Sequence, residues 1–139
     1  MGNSKGTVLI AGINEKLKLL LSTLCIKEGY WVTLASLAGE VIRTVQDTSI
    51  DIMIIDVELS GMKGYEVIPI VKRINPAVIV IVTSDDSSLE LARKIRENDI
   101  FFYAIKPLDL DEMELALRDA SKKIGKVSNL CGTRIISQQ

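Results

Sequence analysis

Short runs of consecutive apolar residues alternate along the chain with stretches in which apolar residues recur every three or four positions. Val8-Leu9-Ile10, Ile52-Met53-Ile54-Ile55 and Val78 to Val82 are of the first kind. A short run that is apolar at every position predicts a strand covered on both faces. Trp31-Val32-Thr33-Leu34-Ala35 alternates more and predicts an edge strand, and Ile100 to Ile105 predicts a fifth strand. Leu17, Leu20, Leu21 and Leu24 share one helical face, with Gly29 as the C-terminal cap. Val41, Ile42 and Val45 predict a short amphipathic helix. A loop holding Gly61 and Gly64 leads into a helical stretch that Asn75-Pro76 stops. Proline is tolerated in a first turn, where its missing N–H has no intrahelical partner, so Pro69 predicts a late start near Glu66. Ser87 with Glu90, and Asp109 with Glu112, have capping-box spacing. They open helices marked by Leu91 and Ile95, and by Leu110, Met113, Leu117, Ala120 and Ile124.

Five strands alternating with five helices predict an α/β fold, a parallel sheet with helices on both faces. Right-handed crossovers leave few arrangements, and the flavodoxin-like order 2-1-3-4-5 puts the alternating second strand at an edge. The 139 residues suit one domain, expected over residues 5–124. Residues 125–139 mix Gly, Ser, Asn and Gln with a few apolar residues and read as a tail or linker stump, with a short ordered piece at Arg134-Ile135-Ile136. Residues 1–6 lack an apolar signal core, and Gly6 stands where a myristoylation motif wants Ser or Thr.

Composition narrows the function. An apolar fraction of 47% with 25% charged residues is globular. A net charge of −1 gives no electrostatic case for nucleic acid. No apolar run approaches the roughly 18 residues of a membrane span. Cys25 and Cys131 lie far apart without metal-ligand spacing, which suits a reducing, cytoplasmic setting. Cys25 follows Leu21 at helical spacing and is expected buried, Cys131 exposed. The chain has no histidine, which excludes a Ser-His-Asp hydrolase, a histidine-bearing zinc site and a histidine phosphocarrier within it.

The carboxyl ends of the strands are where such sheets carry their sites. There stand Ala11 and Gly12, then Asp56, Thr83, and Lys106 before Pro107. An acid, a hydroxyl and an ammonium converging from neighbouring strands suit phosphoryl transfer to a carboxylate. Asp56 is the candidate nucleophile, forming an acyl phosphate. Thr83 is placed to donate to a phosphate oxygen and Lys106 to neutralise added charge. One Asp at a strand end is by itself more often a cap or turn residue; the three together carry the signal.

Here the chain resembles the receiver domains of two-component response regulators. Asp56-Val57-Glu58-Leu59-Ser60-Gly61-Met62-Lys63-Gly64 is similar to their phosphoacceptor loop. Thr83 after its strand, Tyr103-Ala104-Ile105-Lys106-Pro107, and Gly29-Tyr30 fit the same family in order. The resemblance spans residues 5–124. It implies phosphorylation on Asp56 by a sensor histidine kinase or phosphotransfer protein, a Thr83/Tyr103 switch, and a cis Lys106–Pro107 bond. It also implies a non-enzymatic signalling role, an output surface on the fourth helix, fifth strand and fifth helix, and possible homodimerisation.

One departure matters most. The family carries an acidic pair after the first strand that holds Mg²⁺ with the acceptor, and this chain has Ala11 and Gly12 there. Mg²⁺ needs hard anionic oxygens to offset its dehydration. No metal cofactor is therefore expected, unless Glu58 at the rim, or Glu15 reaching back, substitutes. One carboxylate beside one lysine is already neutral, whereas phosphoryl transfer relies on metal and cations. Impaired Mg-dependent phosphorylation is expected. Ser60 and Lys63 also replace the usual proline and acid. Arg93, Lys94 and Arg96 read as a solvated face or a partner contact, Trp31 as a residue packing at the sheet edge. Tyr103 is either a switch residue or a tyrosine with its hydroxyl in solvent. Three functions stand at this point: a phosphoacceptor receiver, a degenerate receiver acting as a phosphorylation-independent interaction module, and a small enzyme on the same sheet. The enzyme has no Gly-rich phosphate loop after the first strand and no histidine to support it.

Overall fold

A computed structural model describes the backbone of residues 4–136 and side chains through Ile124. Strands β1 (Thr7–Ala11), β2 (Trp31–Ala35), β3 (Ile52–Asp56), β4 (Ile79–Ser84) and β5 (Phe102–Ile105) alternate with five helices. These are α1 (Glu15–Lys27), α2 (Ala38–Asp47), α3 (Gly64–Ile74), α4 (Leu89–Arg96) and α5 (Leu110–Ile136). The strands form one parallel sheet in the order β2-β1-β3-β4-β5, as the pattern predicts.

Alternation along each buried strand divides the core into two layers. Leu9, Met53, Ile55, Val80 and Val82 pack with Val41 and Val45 of α2, Val67, Ile68 and Val71 of α3, and Ile95 of α4. Val8, Ile10, Ile54 and Ile81 pack on the opposite face with Leu21 and Cys25 of α1 and Met113, Leu117 and Ala120 of α5. Cys25 is fully buried as expected, and burial pushes its thiol up to about 12. Gly29 ends α1 at φ +96°, a conformation that suits glycine, and its N–H donates to the Ile26 carbonyl. The Tyr30 hydroxyl then ties this corner to α5 by donating to the Leu117 carbonyl at 2.9 Å.

Four local expectations need correction. Helix α3 begins at Gly64, ahead of Glu66, with Pro69 inside it. The Glu66 carboxylate accepts the Lys63 N–H at 2.9 Å, and the Gly64 N–H donates to the Val57 carbonyl, so the start is fixed by capping upstream of the proline. The cap of α4 is Ser88, not Ser87: its hydroxyl oxygen accepts the Leu91 N–H. Asp86 turns the preceding loop by accepting the Ser88 N–H, which delivers Ser88 to the cap. Strand β5 starts at Phe102, because Ile100 belongs to the loop that leads into it. Helix α5 does not stop at residue 124 but continues to Ile136. Single glycines such as Gly125 and Gly132 each cost about 1 kcal/mol in a helix, which weakens it without ending it. The expected exposure of Cys131 falls outside the described side chains. No helix among the described residues is long and apolar enough to cross a membrane.

Candidate phosphoacceptor site

Register brings the candidate residues together. Asp56 ends β3 directly beside Thr83 of β4, and Ser84 lies beside Ile105, so Lys106 follows at the same end of the sheet. The Lys106 N–H donates to the Ser84 carbonyl at 2.7 Å, and the Lys106–Pro107 peptide is cis. Asp56 is 5% exposed and Thr83 1%. A carboxylate so buried needs partners, and every oxygen has one. Asp56 Oδ2 accepts the Thr83 hydroxyl at 2.7 Å and pairs with Lys106 Nζ at 2.7 Å. Oδ1 accepts the Glu58 N–H at 2.9 Å. The result is a nearly neutral cluster with a carboxylate oriented by three donors.

Glycines frame Asp56 on two sides. A Cβ on Gly12 would stand 3.1 Å from Asp56 Cβ, so β1 offers a smooth wall. A Cβ on Gly64 would stand 2.3 Å from the Asp56 carbonyl oxygen, so the start of α3 comes in closer than any other residue type allows. Ala11 and Gly12 bring no oxygen donor to this wall. Glu58 points to the rim, where both carboxylate oxygens lie 3.2 Å from Lys63 Nζ. Glu15 is exposed and paired with Lys18 at 3.2 Å. Among the described residues no three His, Cys, Asp or Glu side chains are grouped to hold a metal. These donors do not fit the near-octahedral oxygen shell of Mg²⁺.

The switch candidates are placed apart. Thr83 faces Asp56, while the Tyr103 hydroxyl donates outward to the Asp86 carbonyl at 3.1 Å in the β4–α4 loop. α4, β5 and the start of α5, the surface expected to meet a partner, carry exposed Leu89, Ile105 and Leu110. The basic face of α4 is partly engaged, since Lys94 Nζ sits 5.5 Å from the centre of the Tyr65 ring.

Sequence reasoning missed Lys18. It is 4% exposed, and its Nζ donates to the Ser36 hydroxyl oxygen just past β2. Lys18 and Asp56 line one cavity of about 10 Å³, the size of a water, together with Gly12, Asn14 and Thr83. The signal was present: Lys18 lies in phase with Leu21 and Cys25 on the buried stripe of α1.

The comparisons with known proteins follow the same lines. The family model described as the response regulator receiver domain matches residues 8–118. The transcriptional regulatory protein ZraR of Escherichia coli (strain K12) is 32% identical over 92 residues, covering 66% of this chain and 21% of that protein. This chain thus corresponds to about a fifth of that relative's length. Sporulation initiation phosphotransferase F of Bacillus subtilis (strain 168) is 28% identical over 116 residues, covering 84% of this chain and 90% of that protein. In structure, a CheY-like response regulator receiver domain protein from Methanospirillum hungatei JF-1 superposes with a TM-score of 0.81 at 20% identity, covering 87% of this chain and 97% of that one. With the family model matching residues 8–118, and with Asp56, Thr83 and Lys106 at the ends of three adjoining strands, the chain belongs to the response regulator receiver domains.

Proposed function

We propose that the domain takes a phosphoryl group on Asp56 from a sensor histidine kinase or phosphotransfer protein, and that it does so slowly, without ordinary Mg²⁺ assistance. The observation that carries this reading is Asp56 Oδ2 held by Thr83 and Lys106 beside a wall, Ala11 and Gly12, that lacks carboxylates. In the transfer, an Asp56 oxygen forms the new bond to phosphorus as the donor's bond to phosphorus breaks and the donor keeps that electron pair. Lys106 offsets part of the added charge, and the Thr83 hydroxyl turns from the carboxylate to a phosphoryl oxygen. That turn vacates space beside β4 and draws Tyr103 inward from the Asp86 carbonyl, changing the surface of α4, β5 and α5 offered to a downstream protein.

Intact-mass measurement with acetyl phosphate tests the reading. The wild type is expected to gain phosphate slowly, with little acceleration by Mg²⁺, and Asp56→Asn to gain none. Ala11→Asp with Gly12→Asp is expected to restore acceleration by Mg²⁺; Gly12 has no positive φ, so its backbone accepts a side chain, and the change is opposed by the close contact with Asp56, by burial at Ala11 and by repulsion among three carboxylates. Ordinary Mg-dependent uptake by the wild type would overturn the impaired step. The neutral wall also favours a second reading, a degenerate receiver that binds its partner unphosphorylated. That reading gains if neither acetyl phosphate nor the cognate kinase adds phosphate.

A further inference from the structure

Strand β2 is an edge of the sheet, with β1 on one side and no strand on the other among the described residues. Its hydrogen bonds fix which groups are free. The Trp31 N–H donates to the Gly6 carbonyl, and the Ala35 carbonyl accepts the Gly12 N–H. By strand alternation Trp31, Thr33 and Ala35 bond toward β1, and the N–H and C=O groups of Val32 and Leu34 point outward. Edge strands are ordinarily blunted by charge, proline or shortness. The opposite edge, β5, is short and runs into Lys106 and Pro107. β2 has the sequence Trp-Val-Thr-Leu-Ala, with neither charge nor proline.

Beside this edge runs an open groove of about 520 Å³, lined by Ser22 and Ile26 of α1 and by Trp31, Val32 and Leu34 of β2. Leu19, Ile26, Trp31 and Leu34 are between 50% and 68% exposed. Together they leave on the order of 450 Å² of side-chain surface uncovered, about the apolar share of a standard half-interface of roughly 800 Å².

We infer that β2 is a homodimer interface, in which two copies join their sheets antiparallel about a two-fold axis through Thr33. The edge is self-complementary in that register. Val32 of each copy lies opposite Leu34 of the other, and their outward groups form four hydrogen bonds. Trp31 lies opposite Ala35, large against small. The two-fold axis is perpendicular to the sheet, so both α1 helices stay on one face. Each α1 packs over β1 and β2, which puts the two axes about 10 Å apart, an ordinary helix-packing distance. Lys18 at the start of α1 reaches Ser36 beyond the end of β2, while the end of α1 turns into its start. Thr33 is thus level with the middle of α1, and Leu19 of one copy comes level with Ile26 of the other. No charged residue lies on the row Leu19, Ser22, Thr23 and Ile26 to oppose the contact. This inference is independent of phosphorylation.

Sedimentation equilibrium of the full chain over a concentration series tests it. The wild type is expected to be a dimer, and Leu34→Lys, which sets a charge on the edge at a half-exposed position, to weaken association at least ten-fold with an unchanged circular dichroism spectrum. A second measurement uses Thr33→Cys in a Cys131→Ser background. Facing residues of a non-hydrogen-bonded antiparallel pair have Cα atoms about 4.5 Å apart, within disulfide reach. Mild oxidation is expected to give a covalent dimer, with the buried Cys25 unreactive. A monomeric wild type, a dimer that survives Leu34→Lys, or failure of the Thr33→Cys variant to cross-link would each overturn the interface.

Discussion

Gly64 is required by distance and not by backbone angle. Its φ is not positive, yet a methyl group there would press into the Asp56 carbonyl at 2.3 Å and the Val57 Cα at 3.2 Å. Both neighbours are backbone and cannot swing aside, so strand β3 or helix α3 must shift. Gly64→Ala is expected to destabilise by about 2–4 kcal/mol in urea denaturation. Gly39 supplies the control, because nothing lies within 4 Å of a Cβ there. Gly39→Ala in α2 is expected to be neutral or to stabilise by up to about 1 kcal/mol. Equal effects at the two positions would mean that the α3 start is softer than its geometry indicates. The requirement at Gly64 was invisible in the chain, where it read only as part of a loop, because the group it must avoid comes from the end of a strand across that loop.

At the scale of elements, the site is a property of adjoining strand ends. β3, β4 and β5 each contribute one group, and parallel register alone aligns Asp56 with Thr83 and sets Lys106 one residue beyond Ile105. The Lys106 ammonium is mostly covered and meets a nearly buried carboxylate. Removing it leaves that charge with the Thr83 hydroxyl and the Glu58 N–H alone. Lys106→Met is expected to cost about 1–2 kcal/mol at pH 7, less than for a wholly buried pair because water still reaches the lysine. In a double-mutant cycle with Asp56→Asn, most of that cost should appear as coupling. Additive effects would show that the lysine acts through its packed stem. Strand identity and order were legible because fully apolar runs have one stable setting, between two helical layers. Helix starts were less so: the α3 start depends on Glu66 reaching the Lys63 N–H, and the α4 cap on how Asp86 turns its loop.

For the whole molecule, an ion network closes the sheet between its first and last helices. Glu28, at the end of α1, is 6% exposed and accepts from Arg118 of α5 at 3.1 Å. Lys5 lies 4.0 Å away. The Arg118 hydrogen bond, opposed by burial, holds the Glu28 carboxyl below the usual carboxylate range. A carboxylate with a depressed folded-state value stabilises the fold above its unfolded value, and that contribution is lost as pH falls through the folded value. Arg118→Met is therefore expected to lower the thermal midpoint at pH 7, with the gap to wild type closing as pH drops below the ordinary carboxylate range. A gap of constant size would assign the effect to the arginine stem covering α1.

Periodicity by itself determined the number of elements, their order along the chain and, through the handedness of crossovers, the sheet order. Residue type at the strand ends marked the candidate site, with an acid, a hydroxyl and a lysine after three buried runs and no side-chain oxygen at Ala11 and Gly12. The tertiary structure alone decided which groups meet. Lys18 lay in phase with the buried stripe of α1, but only packing carried it to Ser36 beside the cavity it shares with Asp56. Glu58 stands at the rim, and its ion pair with Lys63 is set by how the loop folds. Trp31 was expected to pack, yet it stands 55% exposed on an open edge. The physical reason is common to these residues: periodicity records which face a residue occupies, whereas its partners are set by distances between segments that the chain brings together only on folding.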